Sequence, residues 1–126
     1  MRTILIYAED KDFSSAGASY LSENGCAVFT AKYSMEAAEV ISMIKLDAVV
    51  ISSNKSTAFL VLGKLLRANE RILNIIGVTK IESSVLKLLL ETEDFTKLDS
   101  SLSFSSLERM VNGTQIKSEE MQNVFV

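Results

Sequence analysis

The side chains that can do chemistry in this chain carry oxygen or amine groups, because its 126 residues include no histidine and a single cysteine, Cys26. Without an imidazole, no Ser-His-Asp triad and no histidine-ligated metal site can form. One cysteine excludes an intrachain disulfide and every multi-cysteine metal site. We predict that Cys26 is a small buried residue in a reducing compartment.

Several of these polar groups come directly after short apolar runs or lie inside one. They are Glu9 and Asp10 after residues 3–7, Ser52 and Asn54 after residues 47–51, Thr79 after residues 72–78, and Lys97 within residues 95–98. The runs at 4–6, 48–51 and 75–78 are continuously apolar, which is typical of parallel strands buried on both faces. Ligand sites of such sheets lie at the carboxyl ends of the strands, where these polar groups stand.

The segments between the apolar runs have helical spacing. Apolar residues recur at steps of three and four within 13–21, 37–44, 60–66, 85–90 and 102–111, with Ser34 as the expected N-cap of the second helix. A strand at 26–30 completes a strand-helix unit that repeats five times, which implies right-handed crossovers and a central parallel sheet. We predict an α/β, flavodoxin-like, doubly wound (βα)5 fold with five parallel strands in the order 2-1-3-4-5 and helices on both faces.

Length and charge restrict the remaining possibilities. We predict one domain over residues 1–113 and a tail over 114–126 that is frayed, extends a helix or docks a partner. The net charge of -3 provides no basic surface for nucleic acid. No apolar run approaches the length of a membrane span, so we expect a cytoplasmic protein.

The ordered set of segments resembles bacterial two-component response-regulator receiver domains, the CheY-like family. The segments are residues 4–13 (ILIYAEDKDF), residues 25–28 (GCAV), Ala31 with residues 35–38 (MEAA), residues 46–51 (LDAVVI), residues 75–79 (IIGVT) and residues 94–97 (DFTK). Together they cover about residues 2–112. The resemblance implies a receiver fold and a role in phosphorelay signalling.

The resemblance also assigns positions of a phosphorylation site. The acidic pair of the family falls on Ala8 and Glu9, the phospho-accepting aspartate on Ser52, the switch threonine on Thr79 and the lysine on Lys97. An acyl phosphate requires a carboxylate nucleophile, and Mg²⁺ requires carboxylate ligands. We therefore interpret the site as degenerate and the chain as a pseudo-receiver that is no enzyme.

The same substitutions make a metal cofactor doubtful. Only Glu9, Asp10 and Asn54 remain as oxygen ligands near the pocket, a weak set for Mg²⁺. We expect no cofactor and no catalytic residue.

Three of the carried-over positions have two readings each. Lys97 either retains an anion-binding role or forms an ion pair with Glu9, and Thr79 is either the switch residue or only the cap of the fourth helix. Phe95 is either the aromatic residue that changes rotamer in the family or a buried core residue.

The fourth helix, expected over residues 83–91, carries more apolar residues than one buried stripe requires. Leu88 lies off the line of that stripe, so we predict that it faces outward. In receiver domains the surface of helix 4, strand 5 and helix 5 commonly contacts targets or a second copy. The alternative is that the tail covers this helix through Val124 and Phe125.

Three functions follow. The first is a stand-alone atypical receiver that acts by protein–protein interaction, with another signalling protein or a second copy, without aspartyl phosphorylation. The second is phosphorylation on an unusual acceptor, Ser52 or Ser53, which a separate kinase would have to modify. The third is a flavodoxin-like domain that binds a small ligand, which is disfavoured because the acidic segment after the first strand has no glycine.

Overall fold

The structure is a computed structural model that describes residues 1–71, 73–98 and 104–111, the side chain of Met110 excepted. Strands alternate with helices along the chain. The elements are β1 (Thr3–Ala8), α1 (Lys11–Glu23), β2 (Ala27–Ala31), α2 (Ser34–Met43), β3 (Ala48–Ser52), α3 (Ser56–Ala68), β4 (Asn74–Val78), α4 (Ser83–Leu90), β5 (Phe95–Leu98) and α5 (Phe104–Val111). Within this part of the chain, no helix is both long enough and apolar enough to cross a membrane.

The five strands form one parallel sheet in the order β2-β1-β3-β4-β5. This confirms the predicted fold class. The order changes direction at β1, because the chain leaves β1 toward β2 on one side and returns through α2 to β3 on the other. The loops after β1 and β3 therefore diverge and leave a crevice between their carboxyl ends.

Both faces of the sheet are covered, which explains the continuously apolar strands. Alternate residues of each strand point to opposite faces, so Leu5 and Val49 face one cluster while Ile4 and Val50 face the other. The first cluster includes buried residues of α2, α3 and α4, and the second includes buried residues of α1 and α5. The apolar contacts need no ligand to be complete.

The element boundaries differ from expectation at a few places. Strands β1 and β3 each extend one residue further, to Ala8 and Ser52, and α4 ends at Leu90, where Glu91 takes a left-handed conformation with φ 54°. Ser34 does not cap α2, which it begins; the N-cap position is Tyr33. The Glu36 carboxylate instead accepts the backbone N–H groups of Lys32 and Tyr33, both at 3.0 Å.

Cys26 lies immediately before β2 and is buried, as predicted. Burial raises the pKa of its thiol, and the nearby carboxylate of Glu108 adds to that increase. A buried thiol of this kind stays protonated and unreactive near neutral pH. The predicted tail at 114–126, including Val124 and Phe125, lies outside the described residues, as does Leu102.

Candidate functional site

The crevice between β1 and β3 brings together the first two positions of the candidate site. Ala8 and Ser52 are the last residues of their strands, and they pair directly across the parallel ladder. Ala8 is buried and Ser52 is half-buried. An open cleft of about 380 Å³ adjoins Ser52 and is lined by Glu9, Asp10, Phe13, Ser52, Ser53, Asn54, Lys55 and Val78.

Glu9 is the first residue after β1. Its carboxylate forms an ion pair with a lysine that the sequence analysis did not select. The Nζ atom of Lys55 is 3.1 Å from both carboxylate oxygens of Glu9. This ion pair joins the loop after β1 to the loop after β3. The predicted alternative, an ion pair between Glu9 and Lys97, is wrong, because Lys55 takes the position.

The carboxylate of Asp10 is committed to the local backbone. Its Oδ1 atom accepts the N–H groups of Asp12 at 2.9 Å and of Phe13 at 3.3 Å. Asp10 is therefore the N-cap of α1, a role in which a carboxylate also interacts favourably with the positive end of the helix dipole.

Asn54 connects the loop after β3 to the loop after β4. Its Oδ1 atom accepts the N–H group of Lys80 at 2.9 Å and the hydroxyl of Thr79 at 3.3 Å. Thr79 is only 2% exposed, so its hydroxyl has no access to bulk water and depends on this partner. The Thr79 oxygen in turn accepts the N–H group of Ile81 at 3.1 Å.

Thr79 does not cap a helix. Helix α4 begins four residues later at Ser83, and its N-cap position is Glu82. Thr79 instead forms a turn with Ile81, which corrects the capping alternative.

Strand β5 lies further from the cleft than the other elements of the site. Lys97 pairs with Gly77 and Phe95 pairs with Ile75, and both side chains are half-buried. Since β5 is three strands from β1, about 14 Å at the usual spacing, Lys55 in the nearer loop reaches Glu9 more readily. Phe95 packs against the cluster on the α2, α3 and α4 face, which agrees with its reading as a core residue.

The solved structures that this chain resembles are receiver domains. The receiver domain of the Francisella response regulator 1452 is 22% identical with a TM-score of 0.71, over 90% of this chain and 96% of that one. The Vibrio cholerae chemotaxis protein CheY4 is 17% identical with a TM-score of 0.76, over 91% and 99%. A CheY-like receiver domain from Methylobacillus flagellatus is 24% identical with a TM-score of 0.73, also over 91% and 99%.

The fold is that of a response-regulator receiver domain. No protein-family model matches the sequence, and no curated protein matches it. At these sequence identities the likeness establishes the arrangement of strands and helices and leaves the chemistry of the receiver site to be argued from its own residues.

The oxygen groups of the receiver cleft do not fit a divalent cation. The expected weak ligands were Glu9, Asp10 and Asn54, and each of them already accepts donors from within the chain. Ala8 contributes no oxygen from its side chain, and Ser52 contributes a neutral hydroxyl. Among residues 1–71, 73–98 and 104–111, no cluster of three metal-ligating carboxylate or thiol side chains occurs.

Tyr7, next to Ala8 in β1, is buried in the cluster on the α2, α3 and α4 face of the sheet. Burial raises the pKa of its phenol, and the negative charge of Glu9 raises it further. Tyr7 therefore stays neutral at physiological pH.

Leu88, the residue predicted to lie at an interface, is on α4. Leu88 is 76% exposed, as its position off the apolar stripe predicted, while Leu86 and Leu90 are buried. Val85, one turn earlier on α4, is also exposed. This pair forms an apolar patch on the helix, and the role of Leu88 in an interface stays a prediction.

Proposed function

We propose that this chain is an atypical receiver domain in two-component signal transduction that acts through protein–protein contacts without conventional aspartyl phosphorylation. The observation that carries the proposal is the pair of Ala8 and Ser52 at the carboxyl ends of β1 and β3. A receiver fold places its candidate acceptor and metal-ligand positions in this crevice, and neither of these two residues has a carboxylate.

Without carboxylates at positions 8 and 52, the site lacks the groups needed for acyl-phosphate formation and for binding a divalent cation. Formation of an acyl phosphate requires a carboxylate oxygen as the nucleophile. The Ser52 hydroxyl is a poor nucleophile without a base, and this chain has no histidine to provide one. Because neither Ala8 nor Ser52 has a carboxylate, a divalent cation also lacks the anionic oxygens that would hold it.

The function of such a domain is then recognition. We propose that α4, with Leu88 at its exposed face, contacts another signalling protein or a second copy of this chain, together with β5 and α5. An exposed apolar patch commonly marks a contact surface. The net charge of -3 is unsuited to binding a nucleic acid backbone, and we place the protein in the cytoplasm.

The proposal is tested by incubating the purified chain with acetyl phosphate and Mg²⁺ and measuring its intact mass. We expect no increase by a phosphoryl group. A stoichiometric phosphorylated species that is cleaved by hydroxylamine would reveal an acyl phosphate and overturn the proposal. A hydroxylamine-resistant adduct would instead indicate a serine ester on Ser52 or Ser53.

A further inference from the structure

Lys55 and Glu9, which form an ion pair, both line the open cleft beside Ser52. We propose that the Lys55 ammonium group is a built-in counter-ion that excludes divalent cations from this cleft. The inference rests on the proposed function and deepens it, since it names the group that replaces a bound metal ion. The absence of carboxylates at positions 8 and 52 weakens such a site. The Lys55 ammonium group then occupies the carboxylate of Glu9.

The geometry places the ammonium group where a cation would bind. The Nζ atom is equidistant, at 3.1 Å, from Oε1 and Oε2 of Glu9. It therefore contacts both oxygens of the carboxylate at once. Two carboxylates line the cleft: the Oδ1 atom of Asp10 caps α1, whereas both oxygens of Glu9 accept from Lys55.

Lys55 is held in this position by its own loop. Its backbone N–H donates to the Ser53 hydroxyl oxygen at 3.0 Å, and the neighbouring Asn54 is fixed to the loop after β4 by two hydrogen bonds. The two residues before Lys55 are thus restrained, and Lys55 itself occupies the N-cap position of α3, so its side chain starts from a defined point.

Electrostatics determines the size of the effect. The side chains of Lys55 and Glu9 are 66% and 58% exposed, so water and salt weaken their attraction and the pair contributes little to stability. A divalent cation entering the cleft must displace the ammonium group or bind a few ångströms from it, and two like charges at that distance repel even in water. We expect removal of Lys55 to strengthen divalent-cation binding about tenfold at low salt.

The experiment uses Mn²⁺ as the probe, because this paramagnetic ion broadens the NMR signals of amides near which it binds. Lys55→Met removes the charge and keeps most of the apolar stem. Lys64→Met makes the same change on the exposed face of α3 and is the matched control. Spectra of the wild type and both variants are recorded at increasing Mn²⁺, and the signal dispersion of each variant verifies its fold.

We expect Lys55→Met to lose the amide signals around Glu9 and Asn54 at about one-tenth of the Mn²⁺ concentration that the wild type and Lys64→Met require. Lys55→Arg should restore the wild-type response, and Glu9→Gln in the Lys55→Met background should abolish the gain. The inference is overturned if Lys55→Met responds like Lys64→Met. Phosphorylation of the wild type by acetyl phosphate would contradict the proposed function, whereas this comparison concerns the role of Lys55 alone.

Discussion

Ala8 and Ser52 face each other across the parallel ladder at the carboxyl ends of β1 and β3. This register places a methyl group beside a hydroxyl at the two strand ends. Ser52 lines the adjoining cleft together with Glu9 and Lys55, which form an ion pair. Under the proposed function this cleft stands where a receiver domain would be phosphorylated, and neither residue at the two strand ends carries a carboxylate. The predictions below concern that difference.

Carboxylates introduced at positions 8 and 52 should show what each position contributes to phosphorylation. Ser52→Asp alone is expected to accept no phosphoryl group from acetyl phosphate and Mg²⁺, because Ala8 still provides no ligand for the ion. Ala8→Asp with Ser52→Asp restores both carboxylates and is the gain-of-function variant. Intact mass measures both, and phosphorylation of Ser52→Asp alone would show that Glu9 and Asp10 suffice as ligands.

Metal removal should leave the fold unchanged. The two clusters on either side of the sheet are complete from apolar side chains of the chain itself, so folding is not coupled to a metal. We expect the same thermal midpoint, measured by circular dichroism, with and without a chelator. A midpoint that falls on chelation, and recovers when Mg²⁺ is added in excess, would reveal a structural metal site.

The hydrogen bonds of Asn54 should stabilise the loop after β4. Asn54→Ala leaves the hydroxyl of buried Thr79 without its acceptor, which costs about 1–3 kcal/mol. Asn24→Ala is the control, because the Asn24 amide donates to the Tyr20 carbonyl at an exposed helix end and its loss should cost less. Urea denaturation measures both changes, and faster hydrogen exchange at the Lys80 amide in Asn54→Ala would locate the effect. Equal stability of the two variants would contradict this role.

Leu88 should affect association and leave the fold intact. Because the side chain is 76% exposed, Leu88→Glu is expected to change the free energy of unfolding by no more than about 0.5 kcal/mol. The variant should lose self-association in light scattering or lose a partner in pull-down experiments. Met43→Glu, at a residue of α2 that is 72% exposed, is the matched control. If both variants behave like the wild type, α4 is not the interface.

Stability should fall in alkaline solution through Tyr7 and Cys26. Burial raises the pKa of both groups, so the unfolded chain releases their protons at lower pH than the folded chain does. Their contribution is complete below the unfolded pKa values and is lost as the pH rises from those values through the higher folded ones. Tyr7→Phe should flatten this decrease in urea denaturation between those pH values, and an unchanged slope would contradict the role of Tyr7.

The sequence predicted the strand order and several residues of the cleft. It did not predict the hydrogen bonds and the ion pair that those residues form. Continuous apolar runs mark strands buried on both faces, whereas Ala8 and Ser52 were assigned by the resemblance to receiver domains and not by the runs themselves. Lys55 was missed because a lysine in a polar loop carries no periodic signal, and its partner Glu9 is 46 residues away. Asn54 was considered only as a weak metal ligand, and its oxygen accepts the Thr79 hydroxyl and the Lys80 N–H group. These contacts depend on the register of β3 and β4, which brings the two loops together.

The account is tested most directly by a high-resolution crystal structure of the wild type after soaking in Mg²⁺ and acetyl phosphate. We predict that Lys55 Nζ remains on the Glu9 carboxylate, that Asn54 still accepts the Thr79 hydroxyl, and that no side chain of the cleft carries a phosphoryl group. An octahedral ion bound by Glu9 with Lys55 displaced, or a phosphoryl group on any residue of the cleft, would contradict it.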